Sequence, residues 1–244
     1  MAVKKKLIFC FGNGKADGSA KMRELLGGKG AGLHEMTRIG VPVPPGFTIS
    51  TEVCSYFYAH RRQFPHQLKA QVAATLARVE KALGRRFGDG KNPLLVSVRS
   101  GARESMPGMM DTVLNLGLND QTVQGLIEQT LNPRFAFDCY RRFIQMYADV
   151  VLGIKANDKN SSDPLEAIFE QKKKAVGARS DTELDAHALQ QLVAEYKAEI
   201  KRRLGSDFPE SPLDQLWGAV GAVFGSWNND RAIAYRELYK IPAS

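Results

Sequence analysis

The sequence predicts a mixed α/β (α+β) fold in which an α/β part is followed by a mainly helical one. Three observations carry that expectation. Leu94, Val96 and Val98 alternate with Leu95, Ser97 and Arg99, the two-residue period of a strand with one apolar side. Leu68, Val72, Leu76, Val79 and Leu83 recur every three or four residues, the period of an amphipathic helix. From Asn119 onward only helical patterns follow one another. The 244 residues, 43% of them hydrophobic, suffice to bury a sizeable core in one large domain or two lobes.

Taken in order, residues 7–11 read as a first strand and GNGKADGS after them as a turn. Gly27, Gly28, Lys29, Gly30, Ala31 and Gly32 then form a glycine-rich loop. It leads into a short helix with Leu33, Met36 and Ile39 on its apolar face and Gly40 as its stop. Prolines in 41–51 impose extended backbone before a strand at 47–49. Ser50 or Thr51 can cap the next helix, which carries Val53, Tyr56, Phe57 and Tyr58 and ends by Phe64 and Pro65. The helix from Leu68 stops at Gly84 and is expected to cover the sheet. Each Leu or Val it buries contributes roughly 1.5 to 3 kcal/mol. After the strand containing Leu94 and a loop, residues 112–118 form another strand.

In the helical part, Asn132 with Pro133 and Asp163 with Pro164 are N-cap and first-turn pairs. The first opens a helix striped by Phe135, Tyr140, Phe143, Ile144, Tyr147, Val150 and Val151. The second follows a polar linker, NDKNSSDP, and opens a helix bearing Leu165, Ile168 and Phe169. Leu189, Leu192, Val193, Tyr196, Ile200 and Leu204 mark a third helix, stopped by Gly205. Ser211 and Pro212 open another, with Leu213, Leu216, Trp217, Val220, Phe224 and Trp227. Lys172, Lys173 and Lys174, like Arg202 and Arg203, lie at helix ends and are expected on solvated faces. The expected domains are 1–118 (α/β), 119–205 (helical insertion) and 206–244 (helices returning to the first part).

The net charge of +8 and pI near 9.4 favour anionic partners without identifying one. Nucleic acid is not expected, because the basic residues are dispersed and no aromatic-interleaved basic stripe occurs. Cys10, Cys54 and Cys139 have no CxxC spacing, which argues against a disulfide framework or zinc knuckle and points to a reducing, cytoplasmic setting. No stretch approaches the roughly 20 apolar residues needed to span a bilayer, so a soluble chain without membrane association is expected. His34, His60, His66 and His187 show no ligand spacing, and no serine sits in GxSxG.

Two basic, glycine-containing segments stand out. In the first, Lys29 sits just before a helix start, where free N–H groups and the dipole favour a phosphate. It is not a Walker A loop, since Gly30 occupies the place of the hydroxyl residue, and GxGxxG also fails. In the second, a strand delivers Arg99 to a loop holding Gly101, Arg103, Glu104, Ser105, Met106, Pro107, Gly108, Met109 and Met110, a composition that breaks regular structure. The residues alone leave two readings open: an anion site, or surface cations paired with acids beside gap-filling methionines.

The segments LLGGKGAGLHEMTRIGVPVPPGFTIST, LLVSVRSGARESMPGMMDTVLNLGL, NPRFAFDCYRRFIQMYADVVLG and AVFGSWNNDRAIAYREL resemble the N-terminal nucleotide-binding region of the pyruvate, phosphate dikinase family. That resemblance implies the first lobe of an ATP-grasp fold, with a mixed β-sheet and a mainly helical inserted subdomain. It implies MgATP as cofactor and transfer of a β-phosphoryl group to a histidine on a separate domain. The family converts ATP, phosphate and pyruvate to AMP, pyrophosphate and phosphoenolpyruvate. Carried over by position, Lys29 and Arg99 match ATP-phosphate contacts, Arg103 and Arg142 are further expected contacts, and the segment from Ser105 to Met110 matches the loop that covers the phosphates.

The family pattern continues past Ser244 into a second lobe with acidic Mg ligands, a phosphohistidine domain and a pyruvate-binding barrel. The expectation is therefore a fragment with no metal ligands of its own, inactive alone, from a homodimeric parent. The alternative is a non-catalytic protein-interaction module with a vestigial nucleotide site.

Overall fold

The first apolar run forms the strand β1 (Ile8–Phe11), paired antiparallel with β2 (Gly46–Ile49), Ile8 opposite Ile49 and Phe11 opposite Gly46. The computed structural model describes residues 5–156 and 163–242, so the polar linker expected at 157–164 falls mostly outside the described residues. The chain divides into two compact units. One comprises residues up to Arg85, Arg99–Asp111 and those from Phe224 on; the other comprises Arg86–Val98 and Thr112–Val223.

In the first unit, α1 (Arg23–Arg38) and α3 (Leu68–Leu83) pack on the β1–β2 pair, and α2 (Thr51–Ala59) packs on α1. α3 buries Leu68, Val72, Leu76 and Val79 as its spacing predicts, and Gly84 ends it in the left-handed region. α1 departs from expectation in two ways. The glycine run is helical rather than a loop, interrupted only at Gly27, whose φ of 69° and ψ of 170° suit glycine alone. Its buried face is Leu26, Gly30, Ala31, His34 and Thr37, whereas Met36 and Ile39 are exposed. Small residues win this face because the helix lies close to β2: a Cβ on Gly30 would meet the Thr48 side chain at 2.9 Å. Buried His34 accepts from the Gly18 N–H through Nδ1 at 3.1 Å, and burial pushes its pKa below the ordinary value. A fourth helix, α9 (Asp230–Tyr239), is capped by Asn229, which accepts from the Ala232 N–H.

In the second unit, β3 (Arg86–Phe87) pairs parallel with β4 (Pro93–Leu94), and β5 (Val96–Arg99) pairs with β6 (Thr112–Leu116). Among the described residues the strands thus form three two-stranded pairs rather than one mixed sheet. Strands of two to five residues, punctuated by Gly and Pro, are too short to assemble a broad one. The alternation read from the sequence holds: Ser97 and Arg99 are exposed, Leu94 is buried, and Val96 and Val98 are half-buried.

Helices supply the core of this unit. α4 (Thr122–Thr130) and α7 (Ala186–Leu204) pack on α5 (Pro133–Val150), and α6 (Pro164–Val176) packs on α7. Both expected caps form: Asn132 accepts from the Phe135 N–H, and Asp163 from the Leu165 and Glu166 N–H groups. Tyr140, Phe143, Ile144 and Tyr147 are buried, and Phe143, Tyr147 and Phe208 meet edge-on at 5.5–5.8 Å between centroids. Phe135, Leu204 and Leu213, expected on apolar faces, are exposed instead. α8 (Pro212–Gly225) ends before Trp227, which lies in a following 3-10 turn. The lysines at the end of α6 are also not merely solvated. Lys172 pairs with Glu195 on α7 at 2.6 Å, and Lys173 with Glu170 and Asp181. No described helix is long and apolar enough to cross a membrane.

Candidate functional site

The first unit brings together most of the residues singled out in the sequence. Past the Gly27 bend, α1 resumes at Gly28, so Lys29 stands in the first turn of a helical segment rather than before it. The segment 99–111 runs alongside. A Cβ on Gly27 would fall on the Gly101 carbonyl, so the two backbones touch where only glycine fits. The Gly28 N–H donates to Ala102 O at 2.8 Å. One helix-start donor expected to be free for a ligand is therefore already engaged.

This crossing places Lys29 beside Ser100 and Arg99. Although Lys29 is exposed overall, its Nζ reaches the buried Ser100 Oγ at 3.5 Å. Desolvation there, and secondly the nearby Arg99 charge, push the Lys29 ammonium below its ordinary pKa. Among the described residues neither cation has a carboxylate within 4.0 Å. Two adjacent positive charges without a carboxylate partner among the described residues, at a glycine-lined crossing, are chemically able to stabilise an anion.

Arg103 is different, because its Nη1 pairs with Glu24 at 3.2 Å. Arg23, the residue before Glu24, donates from Nε to Arg103 O at 2.7 Å and pairs through Nη2 with Glu104 at 3.3 Å. At the other end of the loop, Met109 O accepts from Asn229 Nδ2 and Arg231 Nε, at 3.1 and 3.2 Å. Asp111 pairs with Arg231, and its N–H donates to Ser226 Oγ. Met106 is buried, Met109 and Met110 are half-buried, and Ser105, Pro107 and Gly108 are exposed. The loop is thus tied at both ends, with its middle at the surface. Sequence reasoning missed Arg23 and Arg231, whose partners lie 80 or more residues away and leave no local signal.

Arg142 belongs to the other unit. On α5, its Nε donates to Asp138 Oδ2 at 3.0 Å and the side chain is 60% exposed. Its neighbour Arg141 is 4% exposed, holds the other Asp138 oxygen at 2.7 Å and lies over the Phe169 ring at 4.3 Å. No described group of three or more acids, histidines or cysteines comes together to hold a metal ion, and no residue is assigned that role.

Residues 23–244 match the family described as pyruvate phosphate dikinase, AMP/ATP-binding domain. The chain is 52% identical over 98% of its length to pyruvate, phosphate dikinase of Rhizobium meliloti (strain 1021), and 50% identical over 93% to that of Clostridium symbiosum. It is 48% identical over 97% to pyruvate, phosphate dikinase 1, chloroplastic, of Oryza sativa subsp. japonica. It spans about a quarter of the length of these relatives, 26%, 25% and 24% respectively. The match runs through the bent helix, the 99–111 loop and the helical part alike, and the chain belongs to the pyruvate phosphate dikinase AMP/ATP-binding domain family.

Proposed function

We propose that this chain binds the phosphates of ATP through Lys29 and Arg99, as part of a dikinase that converts ATP, phosphate and pyruvate to AMP, pyrophosphate and phosphoenolpyruvate. The observation that carries this reading is the pair of neighbouring cations that have no carboxylate partner among the described residues, in a family described by AMP/ATP binding. Phosphoryl transfer needs chiefly positioning and neutralisation of spread negative charge. Arg99 offers a planar fork for two phosphate oxygens and Lys29 a point charge. Arg103 joins them by exchanging Glu24 for a phosphate, Arg142 is a further contact, and the stretch from Ser105 to Met110 covers the ligand.

In this reading the first lobe of an ATP-grasp fold is formed by 1–118 with 206–244, and 119–205 is its helical insertion. The two compact units divide the chain elsewhere, assigning 86–98, 112–118 and 206–223 to the helical part. Magnesium, when bound, would neutralise phosphate charge, and its acidic ligands are proposed to lie outside these 244 residues. So are the phosphoryl-accepting histidine and the pyruvate site, and the parent is proposed to be a cytoplasmic homodimer. The 244 residues by themselves are accordingly expected to bind ATP without turning it over. The alternative, a non-catalytic interaction module, is not favoured by the match to an AMP/ATP-binding domain.

Calorimetry with ATP tests the site. Removing one charge-assisted contact worth roughly 1.5 to 3 kcal/mol weakens binding about 10- to 150-fold, so Lys29→Ala and Arg99→Ala should each lose affinity on that scale. Unchanged affinity in both variants would sink the assignment.

A further inference from the structure

Lys29 and Arg99 repel one another, so some part of the fold must hold them side by side. Two of the holds are backbone: the Gly27 and Gly101 contact, and the Gly28 N–H to Ala102 O bond. The third is a side chain. We propose that Arg23 is a positioning residue of the anion site, clamping the 99–111 loop to the helix that carries Lys29 so that one polyphosphate meets both cations. The inference rests on reading Lys29 and Arg99 as ATP-phosphate contacts.

The geometry separates Arg23 from an ordinary surface ion pair. An exposed Arg–Glu pair alone holds little. Arg23 grips the main chain as well, its Nε on Arg103 O at 2.7 Å while its Nη2 meets Glu104 at 3.3 Å. Only a guanidinium can serve a carbonyl and a carboxylate at once from a rigid fork. Arg23 is also the first residue of α1, six positions before Lys29 and on the other side of the Gly27 bend. The clamp therefore straddles the bend, with its guanidinium on the Arg103 carbonyl and the Glu104 carboxylate. The crossed Glu24–Arg103 pair holds a side chain but no loop backbone, so it does a different job.

The test uses Arg23→Ala, Arg23→Lys and Glu104→Ala, with ATP affinity by calorimetry and the Lys29 ammonium followed by side-chain NMR titration. Arg23→Ala should weaken ATP binding about tenfold, the scale of one charge-assisted bond, and return the Lys29 titration upward as Arg99 moves away. Arg23→Lys keeps the charge without the fork and should recover less than half of the lost affinity on a logarithmic scale. Glu104→Ala is the control: it removes the exposed ion pair but leaves Arg23 Nε on the Arg103 carbonyl, so it should change ATP affinity far less than Arg23→Ala. ATP affinity unchanged in Arg23→Ala, or lowered no more by Arg23→Ala than by Glu104→Ala, or a Lys29 titration indifferent to Arg23→Ala, overturns the proposal. If the unaltered chain binds no ATP yet Lys29 responds to Arg23→Ala, the ATP reading falls and the clamp stands. If ATP binding depends on Lys29 but no readout responds to Arg23, the clamp alone falls.

Discussion

Lys29 with Arg99, and Arg141 with Arg142, are both pairs of cations set side by side, and the fold treats them in opposite ways. Arg141 and Arg142 share the two oxygens of Asp138, and Arg141 also reaches Gln145 and covers Phe169. Lys29 and Arg99 share only the neighbourhood of Ser100. Each place sets two positive charges together, and what differs is the carboxylate: Asp138 offsets one of the two charges on α5, while among the described residues none lies within 4.0 Å of Lys29 or Arg99. Under the proposed function Lys29 and Arg99 are ready to meet an anion, whereas Arg142 must first release Asp138.

The largest effect that sharpens this contrast is expected from Arg141→Ala. Removing a buried partner and leaving Asp138 with one exposed arginine should cost about 3 kcal/mol, read as a lower urea midpoint for the helical unit. A loss below about 1 kcal/mol would put Arg141 in the same class as Arg99. Next comes Glu199, shared by Arg202 and Arg203, whose hydrogen bonds, Arg202's foremost, hold its carboxyl down at about 2. Because the folded value lies below the unfolded one, its contribution is complete above pH 4.5 and fades as pH falls through about 2. Acid unfolding of Glu199→Gln should lack that component. Arg142→Ala, at an exposed pair, should shift stability by less than about 1 kcal/mol. Smallest is Arg99→Ala, which relieves repulsion and should leave the urea midpoint within about 0.5 kcal/mol of the parent or slightly above it. A clear destabilisation there would break the distinction, since it would give Arg99 a structural partner.

Local signals were legible in the sequence. Asn132, Asp163, Gly84 and Gly205 act within their own turns, so their neighbours declare their roles, and the alternation around Ser97 and Arg99 survives in β5. Signals that depend on distant partners were not legible. Large apolar side chains point to Leu33, Met36 and Ile39 as the inner face of α1. The close approach of β2 selects Gly30, Ala31 and His34 instead, and no periodicity of hydrophobicity reports that. The same holds for the site. Lys29 and Arg99 stand out by their glycine-rich surroundings, but their missing acids, and Arg23's grip on a carbonyl 80 residues away, exist only after folding.

The bond from the Gly28 N–H to Ala102 O gives the loop a built-in reporter. This amide lies at the start of a helical segment, where an N–H has no partner within its own helix, so its shielding from solvent comes from the loop alone. Its hydrogen-exchange rate therefore measures how often the loop leaves the helix, on a timescale far slower than thermal vibration. A single backbone proton thereby reads out how often the loop that carries Arg99 parts from the helix that carries Lys29.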